Sequence, residues 1–485
     1  MKLALLMSLA GLGASLTIGF PGPPLILDEG DNIEVAVNNF TPFNTSIHFN
    51  GIEQEGMPWS DGVPGVSQRR IFPGKQSIAT FTSFHSHTSG QIIDDLYGPI
   101  YIRPRKIPAR LASLITNDTF EQIQIYNAIQ SPTMLRKVAV SADIDTLCAD
   151  SILINGKGRV NCRDPGVLTN MVPDSVKSVL QGMEYTEKGC LRLTNTYAQT
   201  TFAHNFSAIP PSLFNECHAA RLTIKVSINN HSLWVYEVDG SYIKPVQVDA
   251  LTINNGGRYS CLVQLNKNPG NYSITSANSG FNQKIAGFAT LSYRHGHSVI
   301  SKPLINYGGV AANTRVISLN ETMIEMLTPS QPSQQSDETY ILTAGDMEAD
   351  RPFLWDPRSP AKSPLTIGTK NDTWVGIIFS LSGKISTLQP VYVLGSGTGS
   401  FNWTSVADAV KVIPESFNLI NSPMRDTFTT LPAYQVQNPG AFLIHCHIDP
   451  HLTGGMALAI LDGLDSWPSI PAQYGPHGQW GSIDP

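Results

Sequence analysis

Short runs of alternating polar and apolar residues mark this chain, and they read as half-buried strands. Residues 32–38 (NIEVAVN) show the alternation most plainly. Residues 78–84 run apolar and polar by turns straight into His85-Ser86-His87, and residues 96–103 close that first unit. Further strands are predicted over 191–195, 219–226, 233–238, 246–253, 259–265 and 286–293. Asp239-Gly240 is a two-residue hairpin signal, because both residues tolerate the left-handed conformation such a turn demands. Strands at 373–380, 391–394 and 441–444 follow, with a short helix or turn at 405–412. The pattern predicts an all-β chain of Greek-key sandwiches.

Composition agrees. Gly 40 and Pro 34 in 485 residues favour turns over long helices. A stiff basic linker at 104–108 and a boundary near residue 300 divide the chain into three consecutive units: 16–107, 108–300 and 301–485. Only 14% of residues are charged, against about 25% in an average soluble protein. A net charge of −6 argues against a nucleic-acid partner, and no apolar run reaches the length of a membrane span. Residues 1–15 carry one Lys, an apolar stretch and then small residues, which is the form of a secretory signal peptide. The same residues could instead supply a first strand. Nine N-x-S/T sequons (Asn39, Asn44, Asn117, Asn205, Asn230, Asn271, Asn320, Asn371, Asn402) fit a glycosylated, secreted protein, extracellular or in the cell wall. Five cysteines (Cys148, Cys162, Cys190, Cys217, Cys261) cluster in the middle third, enough for one or two disulfides with one thiol left over.

The chemistry is concentrated at residues 440–456, GAFLIHCHIDPHLTGGM. His445, Cys446, His447, His451 and Met456 are five potential metal ligands within twelve residues. Successive strand side chains face opposite ways, so His445 and His447 share one face and Cys446 takes the other. One strand can thus touch two metal sites. Cys446, His451 and Met456 make the Cys/His/Met set of a blue-copper electron-transfer centre. His85 and His87 repeat the His-x-His form, and His48 stands in a third short motif.

These motifs are identified as those of the multicopper oxidases, the family of laccases and ascorbate oxidases, with the flavour of the filamentous-fungal branch. The resemblance rests on residues 445–456, on 46–54 with 58–65, on 84–87 with Gln91 and 96–99, and more weakly on 20–23, 154–158, 237–240, 416–419 and Arg425-Asp426. It covers nearly the whole chain and implies three cupredoxin-like domains holding four copper ions. A type 1 copper on Cys446, His451 and axial Met456 would take single electrons from a phenolic or other small reductant. Cys446 with His445 and His447 would carry them to a trinuclear cluster that reduces dioxygen to water. There, the resemblance makes His48 a type 2 ligand and His85, His87, His445 and His447 type 3 ligands. It implies a monomer with no nucleic-acid or membrane partner, and some relatives couple phenolic polyketides into pigments.

Two departures stand against it. Asn50 occupies a place where the family has His, and Asn is a poor copper ligand beside imidazole. No histidine lies between His297 and His445, where the family has His-Pro-x-His-x-His. Residues 382–390 (SGKISTLQP) stand at or beside that place. The rival expectation is therefore a copper-poor, catalytically impaired cupredoxin-fold homologue with a structural or binding role.

Overall fold

A computed structural model describes residues 5–10, 14–18, 25–31, 33–49, 51–52, 54–79, 84–85, 97–98, 100–112, 121–128, 151–155, 157–158, 167–168, 170–171, 201–204 and 213–218. It continues with 223–279, 284–293, 299–300, 303–320, 323–329, 333, 335–344, 355–357, 366–381, 406–412, 414, 421–423, 425–426, 433–447, 452, 457–470 and 472. The predicted strands at 191–195 and 391–394 lie outside the described residues.

The N-terminal sheet runs in the order Ala14–Ile18, Leu5–Ala10, Glu34–Asn39, Gln76–Ala79, with every pairing antiparallel. Leu25–Asp28 pairs in parallel with Ile100–Arg103. Its strict alternation of buried and exposed residues sends Leu25 and Leu27 inward, onto Val35, Val37, Ile47, Phe49 and Ile71. Leu5–Ala10 is hydrogen-bonded on both sides, to Ala14–Ile18 and to Glu34–Asn39. A short apolar run satisfies a leader and a sheet strand alike. The sequon at Asn39 is corrected. That residue is fully buried, and its Nδ2 donates to the carbonyls of Phe43 and Ile71, both at 2.7 Å, so it cannot carry a glycan.

The middle of the chain forms two facing sheets. Six strands run Ser151–Ile154, Glu121–Ala128, Leu213–His218, Arg258–Val263, Leu233–Val238, Ser241–Val248. Five run Thr201–His204, Ala286–Tyr293, Asn271–Asn278, Ile224–Ile228, Ala250–Ile253. In one central strand alternation gives way to complete burial: Arg258–Val263 is buried at all six positions. Val235, Ile253, Tyr259, Ile274 and Ala289 are among the residues that fill the layer between. The predicted strand at 246–253 proves to be two. Ser241–Val248 belongs to one sheet and Ala250–Ile253 to the other, so the chain changes layer at Asp249. Asp239 (φ 45) and Gly240 (φ 85) form the expected turn, both left-handed. Cys261 is free and buried, so it is a thiol outside any disulfide; burial pushes its pKa up.

Two smaller sheets complete the chain: Trp355–Pro357, Glu338–Ala344, Trp374–Leu381, Ala433–Gln435 and, against it, Thr366–Gly368, Ala457–Asp462, Gly440–His445. Leu342, Val375, Ile377, Val436, Leu458 and Ile460 are buried together between them. A short helix, Val406–Val412, lies where expected. Strand Gly440–His445 is an edge strand, and only Gly440 is fully buried, so it is less enclosed than its apolar sequence suggests. No helix among the described residues is long and apolar enough to cross a membrane.

Candidate metal centre

His48 lies between Ile47 and Phe49, which point into the first core at 1% and 0% exposure. Alternation turns the imidazole the other way. Its Nδ1 meets the Asp61 carbonyl at 2.6 Å and the Asp61 carboxylate at 3.2 Å. With Nδ1–H donated there, Nε2 keeps the lone pair, the arrangement that orients metal-binding histidines. Asp61 reaches it because Gly62 (φ 85) turns the chain tightly: a Cβ there would fall 1.8 Å from the Ile47 carbonyl oxygen. Burial pulls the His48 pKa down, but the charge and hydrogen bonds of Asp61, helped by the charge of Asp426, outweigh it and leave the pKa raised.

The second part of the site arrives on strand Gly440–His445. Gly440 sits against Pro58 of the Pro58–Ser60 turn, where a Cβ would be 2.4 Å from the proline Cβ. This contact brings the strand onto the turn that carries Asp61. The His445 and His447 rings then stand 5.4 Å apart, while Cys446 packs against the core of the C-terminal sheets. The expected division, imidazoles to one side and thiol to the other, is what the geometry contains. His445 Nδ1 contacts the Cys446 carbonyl at 3.1 Å, which again leaves Nε2 for a metal. Burial, and then the charge of His48, push the His445 pKa down to about 4, so the ring is neutral near pH 7.

His85 ends strand Phe84–His85, paired with Tyr97–Gly98; its side chain, like Asn50, His87, His451 and Met456, lies outside the described residues. Among the described residues no group of three or more His, Cys, Asp or Glu is arranged to hold a metal. Three contributors were not singled out from sequence. Asp61 stood inside a motif without a role. Asn255 and Gly256, in the central sheets, touch His447: Asn255 Nδ2 is 3.4 Å from its carbonyl, and a Cβ on Gly256 would be 2.6 Å from its ring. Their only sequence signal is the turn-forming run Asn254-Asn255-Gly256-Gly257.

Family models described as "Multicopper oxidase" match residues 16–107, 217–296 and 331–465. A laccase (abr2) of Aspergillus fumigatus is 36% identical over 93% of this chain and 91% of its own length. The chain belongs to the multicopper oxidase family. A multicopper oxidase (MCE) of Talaromyces pinophilus is 33% identical over 94% of this chain and 90% of its own length. Among solved structures, the laccase of Botrytis aclada superposes with a TM-score of 0.68 at 23% identity, covering 94% of this chain and 85% of its own. It carries the fold: all-β, three consecutive cupredoxin-like sandwiches. The cofactor of this multicopper oxidase is copper. The residues present fit it in kind, since neutral imidazoles offering Nε2 and a cysteine thiol are copper donors.

Proposed function

We propose that this multicopper oxidase is of laccase type: it oxidises phenols or related small reductants one electron at a time and reduces dioxygen to water. The single observation that carries the reading is the divergence of Cys446 from His445 and His447 at adjacent positions where strand Gly440–His445 ends. Copper, when bound, supplies the one-electron chemistry and the reduction of dioxygen. The protein's own part is narrower. Cys446 offers a covalent route of two residues' length between the thiol side and the imidazole side. Asp61 orients His48 by Nδ1 and raises its pKa, so that ring gives up a proton when it takes a metal; burial keeps His445 neutral, so it offers a lone pair at once. The ligand set we assign is His48, His85, His87, His445 and His447 for the cluster, with Cys446, His451 and Met456 for the thiolate site. The balance is four substrate electrons and four protons per dioxygen, giving two waters.

Domains at 16–107, 108–300 and 301–485, export to the cell exterior or wall, glycans on the exposed sequons and a monomeric state complete the proposal, with pigment or secondary-metabolite formation as its setting. Relatives named laccase in Aspergillus fumigatus and Metarhizium guizhouense support it.

A second reading is favoured by specific observations. Asn50 replaces a family histidine, and residues 298–444 contain none. The Aspergillus laccase alignment runs over 539 positions, whereas 93% of 485 residues is about 451, so at about 90 positions the relative has residues and this chain has none. On this reading the chain is a copper-poor homologue with a structural or binding role. Sequencing the transcript across codons 40–60 and 375–400 separates the two. An inserted His-rich segment supports the oxidase; the sequence as it stands supports the impaired homologue.

A further inference from the structure

The central sheets supply none of the assigned ligands, yet they reach the site. Loop 254–257 joins strand Ala250–Ile253 to strand Arg258–Val263. Gly256 (φ 78) lies against the His447 ring so closely that a Cβ would meet Cδ2 at 2.6 Å and Nε2 at 2.8 Å. His447 Nε2 is itself out of contact with solvent. The Gly256 carbonyl accepts from Arg258 Nη1 at 2.9 Å, and the same guanidinium reaches across to the Asp426 carboxylate with both Nη atoms. The neighbouring residue returns the exchange: Arg425 Nε donates to Asp239 at 2.8 Å, Nη1 donates to the Tyr259 hydroxyl at 3.0 Å, and the guanidinium lies 5.0 Å over the Tyr259 ring. Asp239 in turn accepts the Arg258 backbone N–H at 2.8 Å. Each side therefore gives one arginine and one aspartate to a crossed double pair. The Asp239 side chain has no exposure, and each arginine side chain is only 11% exposed.

We propose that the crossed pairs Arg258–Asp426 and Arg425–Asp239 are a clasp that presses the Gly256 loop onto His447 and fixes the rotamer of that imidazole. Gly256, Arg258 and Asp426 are then positioning residues. The physical reason is one of rigidity. His447 follows the end of an edge strand, where the ladder no longer fixes it, and a bidentate arginine pair holds geometry in a way a single charge cannot. Glycine is required because the loop is both left-handed and in contact with the ring.

The assignment of His447 as a copper ligand rests on the proposed function, but the clasp can be tested without copper. Copper-free protein is treated with diethyl pyrocarbonate, and modification of His447 and His231 is followed by peptide mass. His231 is 2% exposed in the central core and serves as the reference. In Gly256→Ala and in Asp426→Asn, His447 is expected to react several-fold faster while His231 is unchanged. Two variants are used so that one failing to fold leaves the other. An unchanged His447 rate in both overturns the clasp, as does a parallel rise at His231, which marks general loosening. In copper-loaded protein the same variants are expected to lose copper affinity at the imidazole cluster by roughly 10–100-fold, with the Cys446 thiolate absorption retained. Equal loss at both sites overturns the positioning role. A parent protein that binds no copper overturns the proposed function alone, and the carbethoxylation result still decides the clasp.

Discussion

Lys284 is 4% exposed, between residues outside the described set and the buried Ile285. Burial pushes its pKa down from 10.5 to about 8. The unfolded chain therefore binds more protons than the folded one between about pH 8 and 10.5, so this residue's contribution to stability rises with pH across that window. Below it, the buried ammonium costs on the order of 3 kcal/mol. Lys284→Met is expected to be the more stable protein at pH 7, with its advantage shrinking as pH rises through 8 towards 10. Taking the difference between the two proteins in urea removes the opposing effect of Cys261, whose raised pKa makes stability fall at high pH. An advantage independent of pH would show that the ammonium is not what burial penalises. At this scale the sequence was legible where chemistry is dense. His445, Cys446 and His447 declare their facing by alternation alone. Asp61 and Gly256 do not, because what matters in them is a carbonyl and a missing Cβ, and neither has a compositional signature.

Elements were legible where β-branched, aromatic and apolar runs stood between turn residues. Leu233–Val238 and Ala286–Tyr293 lie at their predicted bounds, and the Asp239-Gly240 turn follows from the φ its residues accept. The break at Asp249 was not legible, since a run that changes sheet keeps its apolar pattern through the change. Nor was the role of Leu5–Ala10, whose apolarity serves export and sheet equally well. Exported protein is expected to begin just beyond residue 15 on N-terminal sequencing, as the proposed export requires; a start upstream of Leu5 would contradict the leader and leave Leu5–Ala10 paired with Glu34–Asn39. The Gly440–Pro58 contact also belongs to this scale. Gly440→Ala is expected to lower unfolding free energy by about 2 kcal/mol through overpacking, measured in urea, and to weaken copper retention with it, since this contact brings His445 onto the His48 turn. Wild-type stability would mean that the strand does not need that approach.

Across the whole molecule, the proposed ligands come from the two ends of the chain, and the proposed clasp has the middle hold them in register. Gly440 against Pro58 joins the ends; the Arg258–Asp426 and Arg425–Asp239 pairs join the middle to the C-terminal part. The family could be read from sequence because its signature is local, twelve residues from His445 to Met456. The service of the central sheets could not, because it depends on pairs such as Arg258 and Asp426 that lie far apart in the chain and meet only in the fold. The same distance separates family from activity: Asn50 and the histidine-free 298–444 weigh on the cluster, while Cys446 and its strand are intact. The most direct measurement is the visible absorption of copper-loaded protein beside its Cys446→Ser variant. An intense blue thiolate-to-copper band in the first and none in the second is the predicted result. Copper bound without that band, or a band that survives loss of Cys446, would contradict the account.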